Sequence, residues 1–352
     1  MDTPLVSIII VSYNAKDYLI SCVDACLQSN YQPIEIIIVD NGSSDGTIQL
    51  VEEKYTSNQF VTLIALDKNY GPAYARNRGI EQAKGKYIAF LDNDTKPDIN
   101  WLTPLVEVME KDTQIAACQC KLLLMQDPTR IDYVGDYVSQ YGFLVQEVHG
   151  GDLDVGQAEQ MNEILSAKSA AMIARADVAR EIGMFDEDYF IYVEETDFGW
   201  RMWLKGYRVV YIPISKVYHA FGTTSKFYPV FANYNVRFHG CKNYILTLYK
   251  NFGIGYLIRV LPVHIGLWMG IAGWLMVKGQ FRDSMLIGKG IWWNLSHFIG
   301  SFKKRRNIQK TRMVSDSEIM PIIMRKRAFN YFYQKMATPH KVGHADSWYR
   351  PK

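Results

Sequence analysis

The chain has 352 residues, of which 48% are hydrophobic and 21% are charged, and its formal net charge at pH 7 is +3. This composition excludes collagen-like, disordered and low-complexity proteins, which need excesses of Gly, Pro or charge. The five cysteines show no zinc-type spacing, which predicts small buried residues in a reducing compartment. The segment Met1–Pro4 lacks the basic pattern of a signal peptide, and we expect a cytoplasmic protein.

Apolar runs alternate with amphipathic stretches over roughly the first 120 residues. The pattern predicts strands over 5–11, 34–39, 60–66 and 86–91, with helices over 19–27, 47–55 and 71–84 between them. This alternation predicts an α/β fold with a mainly parallel central sheet that helices cover on both faces.

The second part of the chain has a different character. Residues 121–163 look irregular, and further elements are predicted at 164–174 (strand), 194–205 (helix), 207–213 and 215–218 (strands). From about Asn235 the sequence becomes strongly apolar and aromatic. We therefore predict two domains, an α/β domain over 1–235 and an amphipathic, basic helical region over 236–352.

The net charge is unevenly distributed along the chain. From Gly300 to Lys352 there are 13 Lys or Arg against 3 Asp or Glu, so this segment carries +10 and the preceding residues carry −7. A basic segment on an acidic body favours a polyanionic partner, either an anionic membrane surface or a nucleic acid. A solvated basic extension without a partner is the alternative.

Polar clusters follow three predicted strands, at 12–14, 40–43 and Asp92-Asn93-Asp94. Ligands of parallel sheets collect beyond the carboxyl ends of the strands. Two carboxylates on one turn repel each other unless a cation lies between them, and Mg²⁺ or Mn²⁺ bound by carboxylates completes its shell with water and phosphate oxygens. The third cluster therefore predicts a metal site, with a solvated Asp-rich turn as the alternative.

Five segments resemble family 2 glycosyltransferases in order and spacing: 6–14, 36–47, 69–80, 87–94 and 194–207. The similarity covers about 4–222 and is strongest to a rhamnosyltransferase-like subgroup. It implies a GT-A fold, which is a Rossmann-like nucleotide-diphospho-sugar transferase domain. It also implies inverting, metal-dependent transfer of a sugar from a nucleotide-diphosphate donor, dTDP-rhamnose or a UDP-sugar. The acceptor would be a hydroxyl of a lipid-linked glycan or polysaccharide in cell-surface glycan synthesis.

The resemblance also implies site residues. Asp40 would accept a hydrogen bond from the base, and Arg76 would lie along the diphosphate, whose geometry suits a guanidinium. Asp94 would bind Mn²⁺ or Mg²⁺ with His219 as a further ligand, although a lone histidine is also compatible with a structural role. The nucleotide-sugar-binding set comprises Val11, Tyr13, Asp40, Asn69, Gly71, Arg76, Asp92 and Asn93.

The general base is predicted at the start of the helix over 194–205. Family members carry Glu-Asp where this chain has Glu194-Glu195, and position matching assigns the base to Glu195. A base must come within hydrogen-bond distance of the hydroxyl that it activates. Glu194 and Asp197 are the alternatives, although Asp197 stands four residues before Arg201 and is also predicted to form a helix ion pair.

The apolar segment Val260–Val277 reaches only the lower length limit of a membrane span. His264, the glycines and basic residues on both sides favour an interfacial position on the inner face of the cell membrane. Anionic lipid would lie near the basic runs 303–306 and 325–327. Packing on the α/β domain or on a second copy, as a homo-oligomer, is the alternative. The tryptophans expected at headgroup level are Trp268, Trp274, Trp292 and Trp293.

Other functional classes fit less well. A dehydrogenase or a sugar nucleotidyltransferase needs a Gly-rich turn after the first strand, and Ser12-Tyr13-Asn14 is not one. A nucleic-acid reader would explain the basic segment but not the acidic strand ends, so we expect no nucleic-acid partner. A sugar-nucleotide-binding protein without transfer activity remains an alternative that the sequence does not exclude.

Overall fold

The computed structural model describes residues 3–220 and 235–329, and all structural statements below concern these residues. The first part alternates strands and helices as the pattern predicts. Its elements are β1 Val6–Ser12, α1 Lys16–Leu27, β2 Ile34–Asp40, α2 Thr47–Tyr55, β3 Val61–Ala65, α3 Pro72–Gln82 and β4 Tyr87–Asp92. The following elements are β5 Thr95–Pro97, α4 Leu102–Lys111, β6 Ile115–Leu124, β7 Asp127–Tyr133, β8 Tyr137–Val138, β9 Leu144–Val145, β10 Asn162–Glu163, β11 Ala171–Arg175, α5 Ala176–Glu181, α6 Glu194–Leu204 and β12 Arg208–His219.

One ten-stranded sheet organises this part. Its order is β10-β12-β6-β11-β4-β1-β2-β3, with β5 added to β12 and β7 added to β6. Strands β3, β2, β1 and β4 run parallel, and β11 is inserted antiparallel between β4 and β6. Alternate residues of β1 face opposite sides, so that Ile9 packs into one core layer and Ile8 and Ile10 into the other. The α/β fold with a mainly parallel sheet is thus confirmed.

Three sequence expectations for the middle of the chain are wrong. The strand predicted over 164–174 is confined to β11. Ile164 N still donates to Val209 O of β12 at 2.9 Å, but residues 165–170 leave the sheet and turn back through a hydrogen bond from Ala171 N to Lys168 O of 3.1 Å. The two strands predicted at 207–213 and 215–218 are one strand, β12, with an irregular register between Ile212 and Lys216. Pro213 lies in this irregularity, where its missing N–H costs no regular ladder bond. The segment predicted to be irregular, 121–163, contains β7 to β10.

Five helices follow a π-helical turn at Asn235–Gly240. They are α7 Cys241–Asn251, α8 Ile254–Val277, α9 Phe281–Ser296, α10 Phe298–Thr311 and α11 Asp316–Ile323. Leu248, Phe252 and Met320 belong to the same core layer as Ile9 of β1, so these helices pack on the α/β domain. All five cysteines of the chain are free and buried, as predicted.

Helix α8 is long and apolar enough to cross a membrane by length and composition. The mean hydropathy of its most apolar window is 1.7, and only 22% of that window is buried. One face packs through His264, whose Nδ1 lies 2.8 Å from Tyr141 O, and Trp268, whose Nε1–H donates to His264 Nε2 at 3.0 Å. Trp268 is therefore buried, which corrects its expected position at the headgroup level. Trp274 and Trp292 are exposed, and Trp293 is half-buried.

The basic run 303–306 is only partly available to a membrane, because two of its four cations contact the protein itself. Lys304 pairs with Asp186 and Asp188, each at 2.5 Å, and Arg305 donates to the carbonyl oxygen of Phe252 at 2.7 Å. Lys303 and Arg306 are exposed, so half of the 303–306 run faces away from the protein. The other two cations of the run, Lys304 and Arg305, hold α10 against the rest of the protein.

Candidate active site

The parallel register brings the polar ends of β1, β2 and β4 to one level. Val11 lies opposite Asp92, and Ser12 lies opposite Asp40. The side chain of Asn93 donates to Ser12 Oγ at 3.3 Å. The clusters that follow separate strands in the sequence thus form one continuous edge, as expected for a parallel sheet.

Polar groups surround Asp40 at the end of β2. Asp40 is fully buried, and its Oδ1 accepts a hydrogen bond from Ser43 N at 2.8 Å. Its Oδ2 is buried without a hydrogen-bond partner among the described residues. Such an acceptor is costly unless a ligand donates to it, which fits the N–H group of a nucleotide base. Tyr13 stands exposed at the rim.

Asn69 and Gly71 lie beside the polar groups at the end of β2. Asn69 Oδ1 accepts from Asn41 Nδ2 at 3.0 Å and from Gly71 N at 2.9 Å, which joins the loop before α3 to the end of β2. Gly71 has φ of +87°, and a Cβ at this position would lie 2.6 Å from the carbonyl oxygen of Phe190. Only glycine fits this approach, so Gly71 brings the start of α3 against the segment that precedes α6.

The candidate metal ligands come from two distant parts of the chain. Strand β5 turns back directly after Asp94 and pairs with β12, which sets His219 opposite Thr95. Ala220 N donates to Asp94 O at 2.9 Å, which extends the pairing of β5 and β12 to the residue after His219. As a result, one ligand atom each of Asp92, Asp94 and His219 lies within 4.8 Å of the other two.

Asp132 orients the histidine. His219 Nδ1 lies 2.7 Å from Asp132 Oδ2, and His219 Nε2 lies 3.3 Å from Asp94 Oδ1. Burial alone would lower the pKa of His219, but hydrogen bonds to Asp132 and Asp94 raise it to about 10. A carboxylate that holds one ring nitrogen while the other nitrogen faces the metal ligands is the usual setting of a metal-binding histidine. Two carboxylates and an imidazole suit Mn²⁺, so these residues fit the metal that the resemblance implies.

Arg76 links the metal motif to the start of α6. Its guanidinium donates to Glu194 at 2.9 Å and to Asp92 at 3.2 Å, and it is buried. Burial alone would lower the pKa of Arg76, but Asp92 and Glu194 raise it. Its described ion pairs are with carboxylates, and contact with a diphosphate stays a prediction.

The three carboxylates considered as the base have different surroundings. Glu194 is buried, and burial followed by the charge of Glu195 raises its pKa to about 8. Asp197 is fully buried and pairs with Arg201 and Lys250, each at 2.9 Å, which confirms the helix ion pair with Arg201. Glu195 is the only one of the three that is partly exposed. Its Oε1 accepts from Ser169 Oγ at 2.7 Å.

The structure adds three polar residues that sequence reasoning missed: Asp132, Lys168 and Ser169. Burial alone would lower the pKa of Lys168, but the charges of Asp132, Glu195 and Asp92 raise it. Lys168 therefore supplies positive charge between the metal motif and Glu195. Nothing local in the sequence marks these residues, since they belong to an apparent strand and to an apparently irregular segment.

Comparison with known families settles the kind of protein. The family described as "Glycosyl transferase family group 2" matches residues 87–300, more than half of the chain, and the one described as "Glycosyl transferase family 2" matches residues 7–130. The chain belongs to the family 2 glycosyltransferases. This membership confirms the resemblance of the five sequence segments, whereas the rhamnosyltransferase-like subgroup stays a prediction.

Curated relatives of this family 2 glycosyltransferase match parts of it. An uncharacterized glycosyltransferase of Haemophilus influenzae is 45% identical over 27% of this chain and 38% of its own length. The putative teichuronic acid biosynthesis glycosyltransferase TuaG of Bacillus subtilis is 36% identical over 37% of this chain and 51% of its own. The glycosyltransferase AglE of Haloferax volcanii is 28% identical over 52% and 56%. The chain thus spans between about two fifths and just over half of these relatives.

Solved structures of low identity share the fold of this family 2 glycosyltransferase. TarS 1–349 of S. aureus superposes with a TM-score of 0.53 at 15% identity, over 98% of this chain and 93% of its own. The mannosyltransferase PcManGT of Pyrobaculum calidifontis, in complex with GDP-Man and Mn²⁺, gives 0.52 at 14% identity, over 88% and 86%. GalNAc-T7 with UDP, GalNAc and Mn²⁺ gives 0.57 at 18% identity, over 72% and 49%.

Proposed function

We propose that this glycosyltransferase moves a sugar from a nucleotide-diphosphate donor to a hydroxyl group of a glycan or lipid-linked acceptor, with inversion at the anomeric carbon. The observation that carries the proposal is the single sheet edge that brings together Asp40, the Asp92–Asp94–His219 ligand set and the partly exposed Glu195. The donor nucleotide is a uridine or thymidine diphosphate. TarS 1–349 was solved in complex with UDP and PcManGT in complex with GDP-Man, so the nucleotide has to be tested.

Asp92, Asp94 and His219 would hold a Mn²⁺ or Mg²⁺ ion, and its charge would offset the negative charge that grows on the departing diphosphate. Asp132 keeps the imidazole of His219 in the orientation in which Nε2 faces Asp94. The buried Oδ2 of Asp40 would accept the base N–H. Arg76 holds Asp92 in place from the opposite side.

Glu195 is the base of the proposed reaction. The acceptor oxygen forms a bond to the anomeric carbon while the bond from that carbon to the diphosphate oxygen breaks on the opposite face. The acceptor proton passes to Glu195, and Ser169 orients the carboxylate through its hydroxyl. The charge of Glu195 is one of those that raise the pKa of Lys168, so Lys168 stays positively charged near the proposed base.

The donor is identified by thermal-shift measurements with UDP, dTDP and GDP, each with and without Mn²⁺. We expect one nucleotide to raise the melting temperature in a Mn²⁺-dependent way, since a ligand that binds only the folded state stabilises it. The corresponding nucleotide sugars are then incubated with the protein, and release of the nucleotide diphosphate is followed. A protein that binds no nucleotide, or binds one and releases no product from its sugar conjugate in the presence of glycan acceptors, contradicts the proposal.

We also propose that the helical region holds the protein on the inner, anionic face of the cell membrane. Exposed large apolar side chains lie on α8, α9 and α10, among them Ile258, Met269, Trp274, Trp292 and Ile299. Exposed apolar side chains on helices that also carry exposed cations, here Lys303 and Arg306, are typical of an interfacial membrane attachment.

Sedimentation with vesicles tests this attachment. We expect binding to vesicles of phosphatidylglycerol and phosphatidylcholine, and weaker binding to phosphatidylcholine alone, because the basic residues add attraction to anionic lipid. A protein that stays in solution with both vesicle types and forms a dimer instead would show that the apolar face binds a second copy.

A further inference from the structure

The backbone directly before the proposed base is strained. Phe190, Tyr192 and Val193 have φ values of 60°, 69° and 69°, in the left-handed region that non-glycine residues rarely adopt. Val193 is β-branched and immediately precedes α6, which begins with Glu194 and Glu195. Such strain persists only where the surroundings hold the backbone, and it collects at functional sites.

The surroundings that hold it come from the helical region. Asn243 of α7 is fully buried, and its Nδ2 donates to the carbonyl oxygens of Tyr189, Ile191 and Tyr192 at 3.0, 2.8 and 2.7 Å. One side-chain amide thus contacts three carbonyl oxygens within residues 189–192, and its two hydrogens are shared among them.

Other residues of α7 contact the same stretch. Tyr189 Oη and Thr247 Oγ1 are 2.7 Å apart, and Lys250 Nζ pairs with Asp186 at 2.5 Å. Lys242 Nζ donates to the carbonyl oxygen of Asp188. The buried polar face of α7 is therefore directed at residues 186–192, which lead into α6.

We propose that Asn243 is a positioning residue for Glu195: it fixes the strained 189–193 segment and thereby the direction in which the first turn of α6 presents the carboxylate. This inference rests on the proposed role of Glu195 as base. A displacement of about 1 Å in a catalytic group can cost on the order of a hundredfold in rate. Loss of the three hydrogen bonds lets the segment relax toward allowed backbone conformations and moves Glu195 relative to the acceptor.

The variant Asn243→Ala tests the proposal against the matched control Asn294→Ala. Asn294 of α9 also donates through Nδ2 to two carbonyl oxygens, those of Lys242 and Gly290, at 3.0 Å each, but neither of these hydrogen bonds reaches residues 186–195. Both variants lose buried hydrogen bonds and should lose stability. Only Asn243→Ala should change the segment that carries the base.

Amide hydrogen exchange measures this change in the apo protein. In Asn243→Ala, peptides covering 186–197 should exchange at least about tenfold faster than in wild type, whereas Asn294→Ala should leave them unchanged. In Mn²⁺-dependent turnover of a UDP- or dTDP-sugar, Asn243→Ala should lower kcat on the order of a hundredfold and leave the donor KM within about twofold. Thermal stabilisation by Mn²⁺ with UDP or dTDP should persist in both variants.

The possible outcomes separate this inference from the proposed function. If wild type turns over no donor, the proposed function fails, but the exchange measurement still tests the contact. If wild type is active and Asn243→Ala keeps its kcat, or if both variants change exchange at 186–197 equally, Asn243 is only a stability residue and the inference is overturned. Should Asn243→Ala give too little folded protein, Asn243→Ser keeps one hydroxyl donor and should give an intermediate kcat.

Discussion

The α/β domain and the helical region distribute polarity in opposite ways. In the sheet, apolar side chains such as Ile8, Ile9 and Ile10 are fully buried, and the acidic groups gather at one edge. In the helices, Asn243, Lys250, Asn251 and His264 are buried, whereas large apolar residues of α8 to α10 are exposed. The comparison teaches that the two regions place polar groups differently: the first presents them at the candidate site, whereas the second turns them toward the protein interior and exposes apolar side chains.

The largest effect should come from Asp94→Ala, which removes a carboxylate from the proposed metal site. We expect transfer to fall by about a thousandfold or more, because charge stabilisation on the leaving group is lost. The Mn²⁺-dependent part of the thermal shift with nucleotide should disappear. Asp98→Ala, four residues further along and beyond β5, is the control and should retain both. Vesicle binding should not change, and a change would mean that the two regions do not act separately.

Glu195→Gln should leave nucleotide binding intact and lower transfer by about a hundredfold to a thousandfold, since the amide accepts no proton. The measurements are the thermal shift with Mn²⁺ and nucleotide, and the rate of product formation. Glu181→Gln, which alters an exposed carboxylate paired with Lys205, is the matched control. Transfer at the wild-type rate in Glu195→Gln would show that Glu195 is not the base and would favour Glu194 as the base.

Substitutions of exposed apolar residues in the helical region should change vesicle binding and leave sugar transfer unchanged. Replacing Trp292 and Ile299 by Ser removes two exposed side chains, each of which contributes roughly 1.5 kcal/mol when it leaves water, so binding should weaken by about a hundredfold. The control is the pair Phe60→Ser and Met161→Ser, which are similarly exposed on the α/β domain. If the control pair weakens vesicle binding as much, the helical region is not the attachment surface.

The smallest effect should come from the exposed cations. Lys303→Gln with Arg306→Gln should weaken binding to anionic vesicles by about thirtyfold at low salt, at about 1 kcal/mol for each charge near the surface. This difference should shrink as the salt concentration rises. Lys304→Gln should instead lower thermal stability, because Lys304 pairs with Asp186 and Asp188. If Lys304→Gln weakens binding to anionic vesicles as much as the Lys303→Gln and Arg306→Gln pair does, the exposed cations have no special role in membrane binding.

Much of the candidate site was predictable because its residues follow strands. Asp40, Asp92 and Asp94 stand directly after apolar runs, and parallel pairing brings such positions to one edge. Asp132 and Lys168 were not predictable, since Asp132 lies in an apparently irregular segment and Lys168 lies in an apparent strand that in fact turns away from the sheet. The burial of Trp268 was also missed, because an interfacial helix and a half-packed helix have the same composition.

The sequence by itself determined the family, the alternating architecture and the carboxylates at the strand ends, because these depend on local periodicity and on short motifs. Only the tertiary structure decided which nitrogen of His219 faces Asp94, which of three neighbouring carboxylates is partly exposed, and that Asn243 holds the backbone in front of Glu195. The physical reason is that these properties depend on contacts between residues distant in the chain. A hydrogen bond from α7 to the segment before α6 leaves no periodic pattern in either segment.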